Sequence, residues 1–497
     1  MQYVSSFIHS YEKKMIEVNE SYWLKKKTNN TGKFIIVFHD LPGGFSSNTR
    51  ENVIARGLQE KYNLPVVTIQ YIDNRKECDL LDRSFGFTTI DFNDYMIDET
   101  DKILNQEDEK ELYKQKRYVF NLMYKGIPYG EALFDHIIRK KRGCSLTWDD
   151  VDWNEFMTSK RLALRLIDGA ISFFNVYEPE YIIVSEGDYL KAVIIRVAQK
   201  YGSKVISLNP DYFNALFMIS SDKTWLYDFK FQDMMDDCIN EYVSNTNVSD
   251  ELFLMRGEKK LEIEDNGRLK VFILLHSFAD APRSTTLMYV YDDYVDWFVD
   301  TINKIKSIKN VDWFIKDHPM SIFFGQKEFV SEVMEKVEGD NIHICDKDVD
   351  GDVIRKIADC VVTCAGDAGI EYWAYGIPTI SLARTHYSKH GISYVMKSKD
   401  EYYYHLENIE KLAKPSDESI KQAKLRMSAF KRIMASSDSF GSIYCKNRDE
   451  EIKRYREGDM YHFDVRYEFT VDYISLLQHD QLKNSSQFLL NKMFEVT

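Results

Sequence analysis

Four loops of this sequence bring together side chains that can hold a nucleotide or an anion. They are His276-Ser277-Phe278-Ala279-Asp280-Ala281-Pro282, Lys316-Asp317-His318-Pro319, Ala365-Gly366-Asp367-Ala368-Gly369-Ile370-Glu371 and Arg384-Thr385-His386-Tyr387-Ser388-Lys389-His390-Gly391. Each follows a short apolar run that reads as a strand. In an open parallel sheet, ligands bind at the carboxyl ends of strands, where loops and helix N-termini converge. The small residues from Ala365 to Glu371 let backbone N–H groups approach a phosphate, and Glu371, one turn into a helix, is placed for a ribose hydroxyl. The run matches neither Gly-x-Gly-x-x-Gly nor a Walker loop, and a tight turn with an acid on the first helical turn explains it equally. Lys316 and His318 offer a cation and an imidazole that donate to a diphosphate or carboxylate oxygen, with Pro319 fixing the backbone. A histidine capping the next turn is the plainer reading of the same residues. His276 and Asp280 either orient each other or close their turn. The loop with Arg384 and His386 is the most anion-friendly stretch of an acidic chain; a solvated loop is the plainer alternative, but its position beside the other three loops favours function.

Carboxylates that could act as a general base toward a sugar hydroxyl lie in the first half. Asp40 follows one strand-like run and precedes Gly43 and Gly44, whose lack of side chains permits close approach of a ligand. Glu186 and Asp188 follow another. An N-cap role accounts for Asp188, whereas Glu186 has no such structural duty and is the better candidate. Asp346, Asp348 and Asp350 have the spacing of a hard-cation site, but an acidic turn leading into a helix explains them more simply, and no metal is expected.

The elements that position these loops are legible as alternation. Strands are predicted at Leu269–Leu275, Val311–Ile315, Asn341–Cys345, Cys360–Thr363 and Thr379–Leu382, with helices between them at 291–308, 326–337, 352–358 and 368–375. Such alternation marks β-α-β units in a parallel sheet. Gly376 and Pro378 stop the last of these helices. The first half repeats the plan less regularly, with strands at 34–38, 66–70, 181–184 and 204–208 and helices at 49–62 and 188–201. The fold class is therefore α/β with two Rossmann-like doubly wound domains and added helices. The expected division is an N-terminal domain over 1–219 with a helical insertion at about 98–174, a linker over 220–267, a second Rossmann-like domain over 268–415 and a helical region over 416–497, with long helices at 417–434 and 470–493.

Composition narrows the function classes. Among 497 residues, Lys+Arg 65 against Asp+Glu 79 leaves a formal charge of −14, which argues against a general nucleic-acid binder. Hydrophobic residues at 44% and aromatics at 14% describe a folded chain with sizeable cores. No apolar run approaches the roughly 18 to 20 residues of a membrane-spanning helix. The N-terminal residues lack a basic region followed by an apolar stretch, so a cytoplasmic location is expected. Seven scattered cysteines without a Cys-x-x-Cys pair fit reduced thiols.

Three segments carry a family likeness. VFILLHSFADAP at 271–282, WFIKDHP at 313–319 and VVTCAGDAGIEYWAYGIPTISLARTHYSKHG at 361–391 resemble capsular and surface polysaccharide biosynthesis proteins, which are similar to GT-B glycosyltransferases. The likeness covers residues 268–405, about a quarter of the chain. It implies two domains facing a cleft, the second binding a nucleotide-sugar donor and the first an acceptor. His318 and Pro319 match the His-Pro element associated with the donor nucleotide. Gly366, Gly369 and Glu371 match the small-residue turn and its acid, and His276 and Asp280 match a donor-side His and Asp. Asp367 departs from the family's small hydroxyl residue and puts a carboxylate where a phosphate is expected. The implied activity is metal-independent transfer of a sugar from a nucleotide sugar, CMP- or UDP-linked, to a growing surface glycan. A lipid-linked or oligosaccharide acceptor implies peripheral contact with the inner face of the membrane. A nucleotide-sugar epimerase or hydrolase of the same fold, and a non-catalytic scaffold for glycan assembly, are the competing readings.

Overall fold

A computed structural model describes residues 10–24, 32–39, 45–70, 75–96, 109–141, 147–185, 189–208, 259–263, 265–284, 286–321, 326–335, 339–434 and 463–478, with single positions between 236 and 248 and between 443 and 454. The first half builds a parallel sheet from β1 (Phe34–His39), β2 (Val66–Gln70) and β3 (Thr88–Asp91). After a short hairpin of β4 (Met123–Tyr124) and β5 (Ile127–Pro128), β6 (Pro179–Ser185) and β7 (Lys204–Leu208) complete it. The strand order is β3-β2-β1-β6-β7, every pair parallel. Helices on both faces leave no solvent side, so the central strands are continuous apolar runs. Ile35, Ile36, Val37 and Phe38 of β1 are all buried.

The second sheet contains β8 (Leu269–Leu274), β10 (Val311–Lys316), β11 (Ile342–Cys345), β12 (Cys360–Thr363), β13 (Thr379–Ser381) and β15 (Tyr394–Val395), in the order β11-β10-β8-β12-β13-β15. All its pairs are parallel. Beside it, β9 (Leu287–Met288) and β14 (Ala383–Arg384) form an antiparallel pair. Both sheets are doubly wound, as the alternation predicts, and together they make the expected two-sheet α/β architecture. Buried residues of the first half's helices, among them Phe134, Ile137 and Val193, belong to one contiguous apolar cluster with Phe278, Tyr294, Trp297 and Trp313 of the second.

Element boundaries shift from expectation where a side chain intervenes. The helix expected from Tyr291 starts at Tyr294, because Asp293 caps it by accepting the Asp296 N–H at 2.8 Å while the Tyr291 hydroxyl turns to Asp300. The helix expected from Asp188 spans Lys191–Lys200, since Tyr189 sits at φ 46° and cannot continue it. Gly376, at φ 81°, ends the turn that follows the helix Ala368–Trp373, in its predicted role.

The two C-terminal helices part company. Asp417–Met434 packs Ala423 and Met427 against Ile370, Trp373 and Tyr387 of the second half. Phe463–Gln478 instead buries Phe469, Tyr473, Ile474 and Leu477 with Met15 and Trp23 beside the first sheet. It starts earlier than the predicted 470, and residues beyond Gln478 lie outside the described ones. No described helix is long and apolar enough to cross a membrane.

Polar order is also buried in the first half. His39, at the end of β1, lies between two carboxylates: Nδ1 is 2.5 Å from Glu51 and Nε2 is 2.9 Å from Asp82, which also accepts from Asn52 at 2.8 Å. All four side chains are buried.

Candidate functional site

In each sheet the chain reverses its winding beside the central strand, and the crevice at that switch point is where an open α/β sheet binds ligands. The first switch point lies between β1 and β6, the second between β8 and β12. Asp40 and the pair Glu186 and Asp188 directly follow β1 and β6 in sequence; all three lie outside the described residues. At the second switch point the loops after β8, β10 and β12 do converge, and their contacts are explicit.

His276 and Asp280 do not orient each other. His276 Nε2 accepts the backbone N–H of Ala365 at 2.9 Å, joining the loops after β8 and β12, and its ring stacks on Tyr294 with centroids 4.5 Å apart. Burial pushes its pKa down to about 4, so the ring is neutral and carries its proton on Nδ1. Asp280 is exposed and faces the other half. The Tyr189 hydroxyl, just beyond β6, donates to the Ala279 carbonyl at 3.1 Å and to Asp280 Oδ1 at 3.2 Å.

Gln326 braces the same loops. Its amide donates to the His276 carbonyl at 2.8 Å and to Asp317, while its oxygen accepts the Phe278 N–H at 2.7 Å. In the sequence it marked only the start of a helix, and no local pattern distinguishes it. Leucine at this position leaves a buried N–H and a buried carbonyl without partners, at a cost of about 1–3 kcal/mol for each such group. Q326L is therefore expected to lower the urea midpoint measurably, and an unchanged midpoint would show the brace to be idle.

Lys316 and His318 stand on either side of Asp317. Asp317 accepts the His318 N–H at 2.8 Å as well as Gln326, which turns it into the loop rather than toward Lys316. His318 Nδ1 lies 2.9 Å from Ser277 Oγ and accepts the Met320 N–H at 3.2 Å, so its neutral ring keeps Nε2–H as a donor. Pro319 is buried behind it. The Lys316 ammonium, on a residue only 7% exposed, makes no hydrogen bond or ion pair among the described residues. Burial pushes its pKa down to about 8. The charges of Asp317 and Asp348 offset that burial only in part, and a ligand anion would relieve the remaining cost.

Packing excludes a side chain at Gly369 and crowds one at Gly366. A Cβ on Gly369 would lie 2.1 Å from the Tyr387 hydroxyl oxygen, and one on Gly366 would lie 3.0 Å from Thr363 Oγ1 and 3.4 Å from His276 Nε2. The helix that follows is six residues long, Ala368–Trp373, so its dipole adds little. Glu371 keeps some surface open to solvent, and its N–H donates to the Asp367 carbonyl at 2.9 Å while its carboxyl makes no hydrogen bond among the described residues. Burial, and then the charge of Asp367, hold its carboxyl well above the usual range.

The fourth loop is less open than its composition suggests. His386 Nε2 lies 2.9 Å from Asp367 Oδ1, and the His386 ring stacks on Phe430. His390 Nε2 is 2.9 Å and Lys389 3.7 Å from the buried carboxylate of Asp236, which also accepts from Arg426. Arg384 is half-buried in β14, paired across to Leu287. Asp236 and Arg426 are 190 positions apart, and nothing local announces their pairing.

Asp346 pairs with Lys259 and accepts the Asp348 N–H at 2.9 Å, while Asp350 caps a helix by accepting the Asp352 N–H at 2.7 Å. Among the described residues no group of three or more His, Cys, Asp or Glu side chains is placed to hold a metal ion.

No known sequence family matches the chain, and no curated protein does. Among solved structures it is similar to S. aureus MnaA with UDP, at 12% identity over 86% of this chain and 97% of that one, TM-score 0.27. It is similar also to the glycosyltransferase SnogD from Streptomyces nogalater, at 10% identity over 86% and 99%, TM-score 0.25. A third is Thermosulfurimonas dismutans KpsC, a beta Kdo 2,4 transferase, at 9% identity over 52% and 80%, TM-score 0.30. At these scores the likenesses add nothing to what the two sheets themselves show.

Proposed function

We propose that the chain is a glycosyltransferase that moves a sugar from a nucleotide sugar, CMP- or UDP-linked, to an oligosaccharide or lipid-linked acceptor of a growing surface glycan. One observation carries this reading. The Tyr189 hydroxyl reaches Ala279 and Asp280, so the carboxyl end of β6 touches the carboxyl end of β8, and each flanks a switch point of its own sheet. Two ligand crevices that face each other suit a two-substrate reaction, one substrate from each half.

On this reading the loops of the second half take the donor. Lys316 supplies a buried cation for a phosphate oxygen, and His318 donates from Nε2 to another, stabilising charge on the departing nucleotide. The Glu371 carboxyl, without a hydrogen bond among the described residues, takes the ribose hydroxyls. One carboxylate among Glu186, Asp188 and Asp40 deprotonates the acceptor hydroxyl if configuration inverts. His276 acts by holding the β8 and β12 loops together. The protein works at the inner face of the membrane, as a lipid-linked acceptor requires.

Calorimetric titration with CMP, UDP, GDP and dTDP tests the donor site. One nucleotide is expected to bind selectively, and H318A is expected to weaken it about tenfold or more, the loss of a charge-assisted hydrogen bond of about 1.5–3 kcal/mol. Binding of none of the four would favour a scaffold. Turnover of a nucleotide sugar without any acceptor would favour an epimerase or hydrolase.

A further inference from the structure

We propose that Asp135 is a positioning residue for the transfer, clamping the loop that begins at His276 onto the first half so that the two crevices keep their register. This rests on the two-substrate reading above. Asp135 is fully buried on the helix Gly130–Lys140 of the first half. Its carboxylate accepts the Arg283 N–H at 3.0 and 3.2 Å, the Ser284 N–H at 2.6 Å and the Ser284 hydroxyl at 2.6 Å. All of these donors belong to the second half, eight or fewer positions after His276.

Around this point the same loop is held again. The Arg283 guanidinium pairs with Glu131 at 2.7 Å, one turn before Asp135, and lies 4.2 Å from the centre of the Phe120 ring. Four positions before Ser284, Asp280 meets Tyr189. Ala281, between the two ties, is held at φ 45°, and Tyr189 at φ 46°, a left-handed backbone that non-glycine residues rarely adopt. Strained residues persist where surrounding contacts over-determine them, and they gather at functional sites. The strain here falls on both sides of one contact between the halves. The donor-side contacts of His276 and Gln326 lie within the second half, so the clamp governs alignment of the halves and leaves the nucleotide pocket itself intact.

Burial pushes the Asp135 carboxyl up to about 7, against the hydrogen bonds from Ser284 and Arg283. The charged and titratable groups that face it are Glu131 on its own helix, Arg196 on the helix Lys191–Lys200, and Arg283 and Tyr294 from the second half. Both oxygens accept without a proton to place only once the carboxyl is ionised, so the clamp is complete on the alkaline side of about 7. A carboxyl whose pKa is raised by folding binds its proton more tightly in the folded state. Its contribution to folding stability is therefore present at acid pH and lost as pH rises through about 7.

The test compares the full-length parent with D135A, D135N and S284A. In D135A, amide hydrogen exchange across 276–284 is expected to rise about tenfold, with helix 351–357 unaffected. Once the donor is identified, kcat is expected to fall about tenfold or more while nucleotide affinity stays within about twofold. D135N, which keeps one acceptor oxygen, is expected to recover part of that loss and to lack the ionisation near 7 in the parent's kcat profile. S284A removes a single donor and is expected to fall between D135N and the parent. Unchanged exchange across 276–284 in a folded D135A, or equal losses of kcat and nucleotide affinity, would overturn the proposal. If D135A does not fold, D135N and S284A decide by the same readouts. If no nucleotide sugar is turned over by the parent, the transferase reading fails, and the exchange measurement still decides the clamp.

Discussion

H39A is expected to destabilise the protein by about 3–5 kcal/mol, the cost of removing one partner from a buried ionic group. His39 sits between Glu51 and Asp82, and the three side chains are 5%, 1% and 0% exposed. Alanine leaves two buried carboxylates facing a cavity. The pH dependence carries a further signature. Burial alone would push the His39 pKa down, but Asp82 and then Glu51 override it, and the imidazole is held well above its ordinary value. A raised pKa means that the stabilisation is fully present below the unfolded value, about 6.5, and is lost as pH climbs through the folded value. Asp82 behaves oppositely. Despite burial, the His39 cation holds its carboxyl below the usual range, so its contribution is present above about 4 and disappears as pH falls through the lowered value. Urea midpoints measured from pH 4 to 10 should therefore decline at alkaline pH in the parent, with a smaller decline in H39A. A decline of equal size in the two proteins would mean that the network is not charged, and equal midpoints would overturn the predicted destabilisation.

The second large effect is expected at Gly369. A methyl group there meets the Tyr387 hydroxyl oxygen at 2.1 Å and Cζ at 2.8 Å. The Tyr387 ring is fully buried against Ile370 and Trp373, and its hydroxyl donates to the Gly366 carbonyl at 2.6 Å, so it cannot swing aside. Overpacking of this kind costs about 1–3 kcal/mol and displaces backbone. G369A should sit at the upper end of that range, because the hydrogen bond that shapes the Gly366 turn is lost with it. Nucleotide affinity should fall with stability, since that turn joins His276 through Ala365. A double-mutant cycle isolates the cause. Y387F removes the colliding oxygen, and it should cost less in the G369A background than in the parent. Strict additivity would locate the damage elsewhere. The contact also recasts Gly369: its small size is required by Tyr387 whether or not a phosphate approaches.

His318 and Asp280 show how much of the site was visible before folding. Both stand in loops whose position is set by local alternation, and the sheets place those loops at strand ends as expected. Their partners were invisible. A spacing of four positions suggests that His276 and Asp280 orient each other, yet His276 bonds Ala365, 89 positions away, and Asp280 meets Tyr189, 91 positions away. Lys389 and His390 looked open in an acidic chain, and Asp236, in a segment far from them in sequence, lies against both.

Local chemistry was sufficient for the strands, for most helices and for the stop at Gly376, because apolar periodicity and φ preference act over a few residues. It was sufficient for the two-sheet α/β class as well, since repeated β-α-β units leave few ways to bury both faces of a sheet. Tertiary structure alone decided which loops touch, which cations are neutralised and which half each C-terminal helix covers. Those outcomes depend on contacts between residues tens to hundreds of positions apart, from His276 and Ala365 to Asn19 and Tyr473. Whether such contacts form is set by strand order and packing of the whole chain, to which no short stretch of sequence is sensitive.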